Sequence, residues 1–140
     1  MYETLLAKIG TILDGVSLVK EHFSTPSTIP AKFPAVFFKP AGSSNSFETQ
    51  TDNAKIYRFL VLVLVGANGT TVEDIFSGVL PKTVDAITEA FDAAWDGGVK
   101  DGHRIYVKLN SADEWQVSEE GEGVVCWAPL YLEVKVLTPV

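Results

Sequence analysis

The stretch KIYRFLVLVLV, Lys55 to Val65, restricts the fold more than any other part of the chain. Its residues alternate. Lys55, Tyr57, Phe59, Val61, Val63 and Val65 point one way, and Ile56, Arg58, Leu60, Leu62 and Leu64 the other. From Phe59 onward both sets are apolar, the pattern of a central strand covered on both faces. Near Lys55 and Arg58 one face can meet water. The apolar run Phe59 to Val65 is too short to cross a bilayer as a helix. Upstream, Phe47 to Asn53 is polar and Thr-rich. The strand is therefore expected to continue beyond the body as an arm. An arm needs a partner for its ladder groups, either its own hairpin mate or another subunit.

The residues before it supply a candidate mate. AVFFK, Ala35 to Lys39, reads as a strand closed by Pro40. Ala41 to Ser46 reads as a Gly/Ser/Asn turn or flexible tip, giving a loop from Pro40 to about Asp52, long for a hairpin. Loops of that length mark mobility or binding. Ser24 to Pro34, with three prolines, is an irregular connection, since the flanking apolar segments are too short for separate cores. At the start, Tyr2, Leu5, Leu6, Ile9, Ile12 and Leu13 recur at helical spacing and predict a helix over 2–13. Gly10 inside it suggests a close backbone neighbour, and Gly15 a stop. Val16 to Phe23 alternates like a short strand.

After the ribbon, Gly66 to Thr70 breaks the pattern. Thr71 and Asp74 form a weakened capping box. Asp74, Phe76 and Val79 suggest a short turn interrupted by Gly78 and Pro81. A second helix is expected over 81–96, with Pro81 in its first turn and a stripe of Val84, Ile87, Phe91 and Trp95. Asp96-Gly97-Gly98 is its expected end. Ile105, Val107 and Leu109 then mark a strand with one wet face, and Trp115 and Val117 its hairpin mate. EEGEG turns the chain into a last strand, Val124 to Val136, with Trp127, Leu130, Leu132, Val134 and Val136 as its inner set. Pro129 implies an edge or a bulge there. The order predicts an α+β fold: a mixed or antiparallel β-sheet, two main helices packed against it and a long projecting β-hairpin, as a single domain over 1–140.

Charge and side-chain chemistry restrict function. The formal net charge is -7 and the pI near 4.7, which opposes nonspecific binding to phosphate backbones. Acids gather in Asp85–Asp96 and Asp113–Glu122. His22 and His103 hold no metal spacing with each other or with the lone Cys126, and no cofactor is expected. Cys126, on a predicted strand, reads as a buried inert thiol. GANGT lacks the Lys-Thr of a phosphate loop. Asp85 with Glu89, and Asp92 with Asp96, share a helix face, but acid–base work needs burial in a cleft. Phe37, Tyr57, Phe59, Trp127 and Tyr131 lie on strands, where bases can stack. Their surroundings are too poor in cations for that, so core packing is expected. Enzymatic activity is not expected.

The combination of an apolar N-terminal helix, FPAVFFKPAG, FETQTDNAKIYRFLVLVLV, TVDAITEAFDAA and a closing YLEVKVL strand resembles the tail terminator proteins of long-tailed bacteriophages, also called tail completion or minor tail proteins. The likeness covers nearly the whole chain. Phe33-Pro34-Ala35-Val36, Phe47-Glu48-Thr49 and Tyr57-Arg58-Phe59 carry it most clearly. It implies a structural virion protein at the neck end of the tail, forming a homo-hexameric ring. The ring would meet the major tail protein on one side and the head connector or another neck protein on the other. DNA would pass through its bore without specific binding. Tube or neighbour contacts are expected from the polar tip: Ser43, Ser44, Asn45, Phe47, Glu48, Thr49, Gln50, Thr51, Asp52 and Asn53. The bore is expected to be lined by Asp85, Glu89, Asp92 and Asp96, or by Asp113, Glu114, Glu119, Glu120 and Glu122, since acids repel phosphate. Another head–tail joining protein, a small binding domain and a carboxylate-based hydrolase are the alternatives.

Overall fold

Among the described residues, seven strands form one mixed sheet in the order β1-β2-β3-β7-β5-β4, with β6 paired to β7. The structure, a computed structural model, describes residues 1–24, 30, 32–47, 52–66, 71–100, 102–111, 114–120 and 123–139. The strands are β1 (Glu21–Phe23), β2 (Ala35–Phe47), β3 (Asp52–Gly66), β4 (Asp96–Lys100), β5 (His103–Ser111), β6 (Gln116–Glu120) and β7 (Gly123–Pro139). Only the β1–β2 pairing is parallel among those described. The class is α+β, as the sequence pattern implies.

The apolar ribbon lies at the centre. β3 runs antiparallel to β2 on one side and to β7 on the other along its whole length, from Asp52 opposite Pro139 to Gly66 opposite Val125. Tyr57, Phe59, Val61 and Val63 point at the helices. They are buried with Ile105, Val107 and Leu109 of β5 and with Leu130, Leu132, Val134 and Val136 of β7. Helix α1 (Tyr2–Asp14) covers them with Leu5, Ile9 and Leu13. Helix α3 (Leu80–Ala93) adds Leu80, Ile87 and Phe91. Fully burying each such side chain contributes roughly 1.5–3 kcal/mol. Tyr2 closes one end, its ring edge-on to Tyr57 at 4.8 Å and to Phe59 at 5.8 Å.

Several boundaries differ from the sequence expectation. Val16 to Lys20 is not strand; Val16 is a buried anchor after α1, and β1 is confined to three residues. β2 does not stop at Pro40. A register shift between Pro40 and Gly42, with Gly42 at φ 115, absorbs the proline, and the ladder resumes to Phe47 opposite Asn53. The expected flexible tip over 41–46 is therefore strand, and the connection shrinks to 48–51, outside the described residues. Pro81 sits in the first turn of α3 as expected, but the chain is already helical before it. Thr71 caps a short turn, α2 (Val72–Asp74), its hydroxyl accepting from the Asp74 N–H at 3.2 Å. A π turn, Ile75–Val79, then leads into α3, with the Leu80 N–H reaching back to the Ile75 carbonyl. The wider turn accommodates Pro81, which has no N–H and crowds the carbonyl one α-turn behind.

Two further corrections concern β6 and β7. β6 pairs with β7, not β5, from Gln116 opposite Trp127 to Glu120 opposite Gly123. β7 is long enough to hold β6 beside residues 123–127 and β5 beside residues 130–137 on the same flank. Pro129 sits between those two stretches, so its missing N–H interrupts no described pairing there. It opposes Leu62 with no register shift, so there is no bulge. The inner set of β7 is accordingly an unbroken alternation through Cys126, Ala128 and Leu130, and Trp127 belongs to the outer face. No pattern in the sequence announces β4. Gly97 lets it lie against β5: a Cβ there would sit 2.8 Å from Ile105 Cγ2.

Candidate interaction surface

The face of the sheet turned away from α1 and α3 is covered only in part among the described residues: the Phe33 ring lies against Gly66, and Ala35, Phe37 and Pro129 are buried. The sequence pattern implied cover on both faces of β3. Instead Leu60, Leu62 and Leu64 are half-exposed, while Phe59, Val61 and Val63 beside them are fully buried. Across the sheet, Phe37 aligns with Leu62 and Pro129, and Ala35 with Leu64, Trp127 and Gln116. Leu60, Leu62, Trp127, Pro129 and Tyr131 line a shallow groove of about 510 Å³, closed at one end by Glu114 and Gln116. Tyr131 is 42% exposed, which corrects the expectation that the strand aromatics are all core. Phe23 extends the apolar row past Phe37, its ring 5.4 Å away.

Toward the hairpin end the same face turns polar. Arg58, Glu133 and Lys108 stand side by side on β3, β7 and β5, with Arg58 Nε 3.8 Å from Glu133 Oε1. Both side chains are close to half exposed, so the pair contributes at most about 1 kcal/mol. Arg104 lies over the Tyr106 ring at 5.7 Å.

The candidate contact residues fall on strands. Ser43, Ser44 and Asn45 are exposed on β2, opposite Tyr57, Ile56 and Lys55. Phe47 pairs with Asn53, and Asp52 aligns with Pro139. Glu48, Thr49, Gln50 and Thr51 lie outside the described residues. The ladder of the arm is thus filled within the subunit, by β2 and by β7. On the far flank of β2, β1 pairs with Ala35–Phe37, and no described strand continues alongside. Lys39, Pro40 and the bulge interrupt this edge in the manner that discourages indiscriminate strand pairing.

The acidic candidates divide between two sides. Asp85, Glu89 and Asp92 are exposed on the outer surface of α3, and Asp96 is exposed where β4 begins. Glu114 is exposed at the groove on the opposite side of the sheet. Asp113 and Glu122 lie outside the described residues, as do the side chains of Glu119 and Glu120.

A second hollow of about 430 Å³ lies between α1 and β1, lined in part by Gly10, Thr11, Asp14, His22, Ser24 and Phe38. His22 Nε2 and Asp14 Oδ1 are 2.6 Å apart. The imidazole also packs under Gly10, where a Cβ would lie 3.4 Å from His22 Cε1. The contact ties β1 to α1, and at 3.4 Å it would admit a Cβ without a clash. Among the described residues no three His, Cys, Asp or Glu side chains gather as a metal site. Cys126 is buried, and burial pushes its thiol pKa up, opposite to what a nucleophile needs.

The open face is hidden from a sequence reading in which the apolarity of Leu60, Leu62 and Leu64 alone implies their burial. The signal that points to it is the scarcity of helices: two amphipathic stretches cannot cover both sides of a sheet this wide. Compared with known proteins, the chain matches no family model and no curated relative.

Proposed function

We propose that this chain is a structural virion protein of the tail-terminator kind. As a hexameric ring it caps the phage tail tube, stops tube growth and offers the joining surface for the head connector. The observation that carries the reading is the partly exposed apolar groove around Leu60, Leu62, Trp127 and Tyr131. A contiguous apolar patch with a polar rim is the mark of a protein-docking surface. The long β2–β3–β7 ribbon supports the same role, since it gives a ring subunit a stiff platform. The sequence likeness supplies the particular assembly. Major tail protein and a neck protein are its proposed partners, with DNA passing through.

Electron microscopy of the purified protein with polymerised tail tubes tests this. Rings seated at tube ends are expected. Leu60→Ser with Leu62→Ser should leave the subunit folded, yet give tails of uncontrolled length or failed head joining. Normal tails from that variant reject the reading.

A further inference from the structure

The two outer surfaces of this molecule carry opposite charge. At the hairpin end of the open sheet face, successive rows hold Lys39 beside Leu60, Arg58 and Lys108 flanking Glu133, then Lys135, then Arg104. On the helical side Asp85, Glu89 and Asp92 are exposed along α3, with Glu3, Glu73 and Asp74 also exposed. Lys82 is the exposed cation of α3.

We propose that the open face receives helix α3 of a second copy of this chain, so that copies pack helix layer onto sheet. This rests on the self-assembly in the preceding reading and names the surfaces that meet. Charge complementarity selects this occupant. Packing open face on open face would bring cations toward cations. The spacing also fits: Asp85 to Asp92 spans about 10 Å of helix, and Arg58 to Lys108, two strands apart, about 10 Å of sheet. On α3 Ala93 is exposed, while Ala86 and Ala90 pack against the subunit's own core. A specific interface needs about 800 Å² per partner, a tenth of the 8011 Å² surface. Unlike surfaces that pair head to tail generate rings when the rotation closes and filaments when it does not.

Sedimentation velocity tests the pairing. The wild-type chain is compared at about 0.02 M and about 0.5 M salt, where screening differs severalfold in range. The helix variant is Asp85→Lys with Glu89→Lys. The sheet variant is Arg104→Glu with Lys108→Glu. All four positions are exposed, and circular dichroism melts check that both variants fold. The wild type is expected to assemble at low salt and weaken at high salt. Each variant alone should assemble at least about tenfold more weakly. Their equal mixture, and a chain carrying all four changes, should recover. A wild type monomeric at low salt, a helix variant that assembles normally, or a mixture that fails to recover overturns the pairing. Normal tail length from phage lacking this chain rejects the terminator role and leaves the pairing standing. Tail-length control by a chain monomeric in every salt does the reverse.

Discussion

The two faces of the central strand are built from nearly the same residue types and have opposite fates. On one, Tyr57, Phe59, Val61 and Val63 lie under α1 and α3 and vanish from solvent. On the other, Leu60, Leu62 and Leu64 remain half-exposed one residue away. Apolarity therefore does different things on the two sides. Under the helices it drives folding, because water is removed within the chain itself. On the open side Leu60, Leu62 and Leu64 keep part of their surface in water, so the same driving force is only partly realised within the chain. The contrast extends to charge: acids crowd the outer surface of the helices, and cations crowd the hairpin end of the open face.

The hardest way to break this comparison is to truncate the two faces in turn. Phe59 is fully buried at the sheet centre, so Phe59→Ala removes its transfer free energy and leaves a cavity. A loss of about 3–5 kcal/mol in urea unfolding is expected. Leu62→Ala on the open face should cost under about 1.5 kcal/mol, because its side chain is already partly wet in the folded state. Equal losses would mean that both faces are packed, and that the open face is covered within the monomer.

Glycines sharpen the comparison at smaller scale. Gly97 presses its backbone on Ile105, where a Cβ would also lie 3.0 Å from the Ile105 carbonyl oxygen. Gly97→Ala should therefore destabilise by about 1–3 kcal/mol, by overpacking at the β4–β5 contact. Gly78 lies in the exposed π turn, where an added Cβ would meet nothing within 4 Å. Gly78→Ala should stabilise by about 0.5–1 kcal/mol, through the unfolded chain's lost freedom. Thermal melts of the two variants should move in opposite directions. Stabilisation by both would show that backbone freedom, not contact, governs both sites.

What the sequence made legible follows from where local pattern and tertiary context agree. The alternation of Lys55 to Val65 and the stripe of Leu5, Ile9 and Leu13 are long enough to dictate period, and both elements form as expected. Pro40 and Gly78 mislead, because each is a local breaker that its surroundings absorb: the bulge before Gly42 in one case, the π turn in the other. Pro81 does not, since it sits in the first turn of α3. The partner of β6 is illegible for a different reason. Local order favours the preceding strand, and only the length of β7 lets it take β5 and β6 end to end. The candidate contacts are legible as polar residues, but the pattern suggests a loose tip where the structure has strand. The groove of Leu60, Leu62, Trp127 and Tyr131 is illegible, since apolar residues left partly exposed look in sequence like apolar residues covered by a second layer.

Cys126 and Trp127 allow the smallest and sharpest test, since they are adjacent on β7 and face opposite ways. Cys126 is fully buried among core side chains, and Trp127 lines the open groove. In a chain carrying Trp95→Phe and Trp115→Phe a neutral quencher should reach the remaining indole in the native state, while a thiol reagent should react only as fast as the chain opens. Burial also raises the thiol pKa, so the folded state holds the proton more tightly than the unfolded chain does. The resulting stability is present in full below the unfolded value, about pH 8.5. It is lost progressively as pH rises toward the folded value, because the unfolded thiol then ionises and the folded one does not. Cys126→Ala removes this dependence while leaving other titrating groups in place. The stability difference, wild type minus variant, should therefore decline from about pH 7 to about pH 10. A flat difference would place the thiol in contact with water, and would make the two faces of β7 alike at the point where they are closest together.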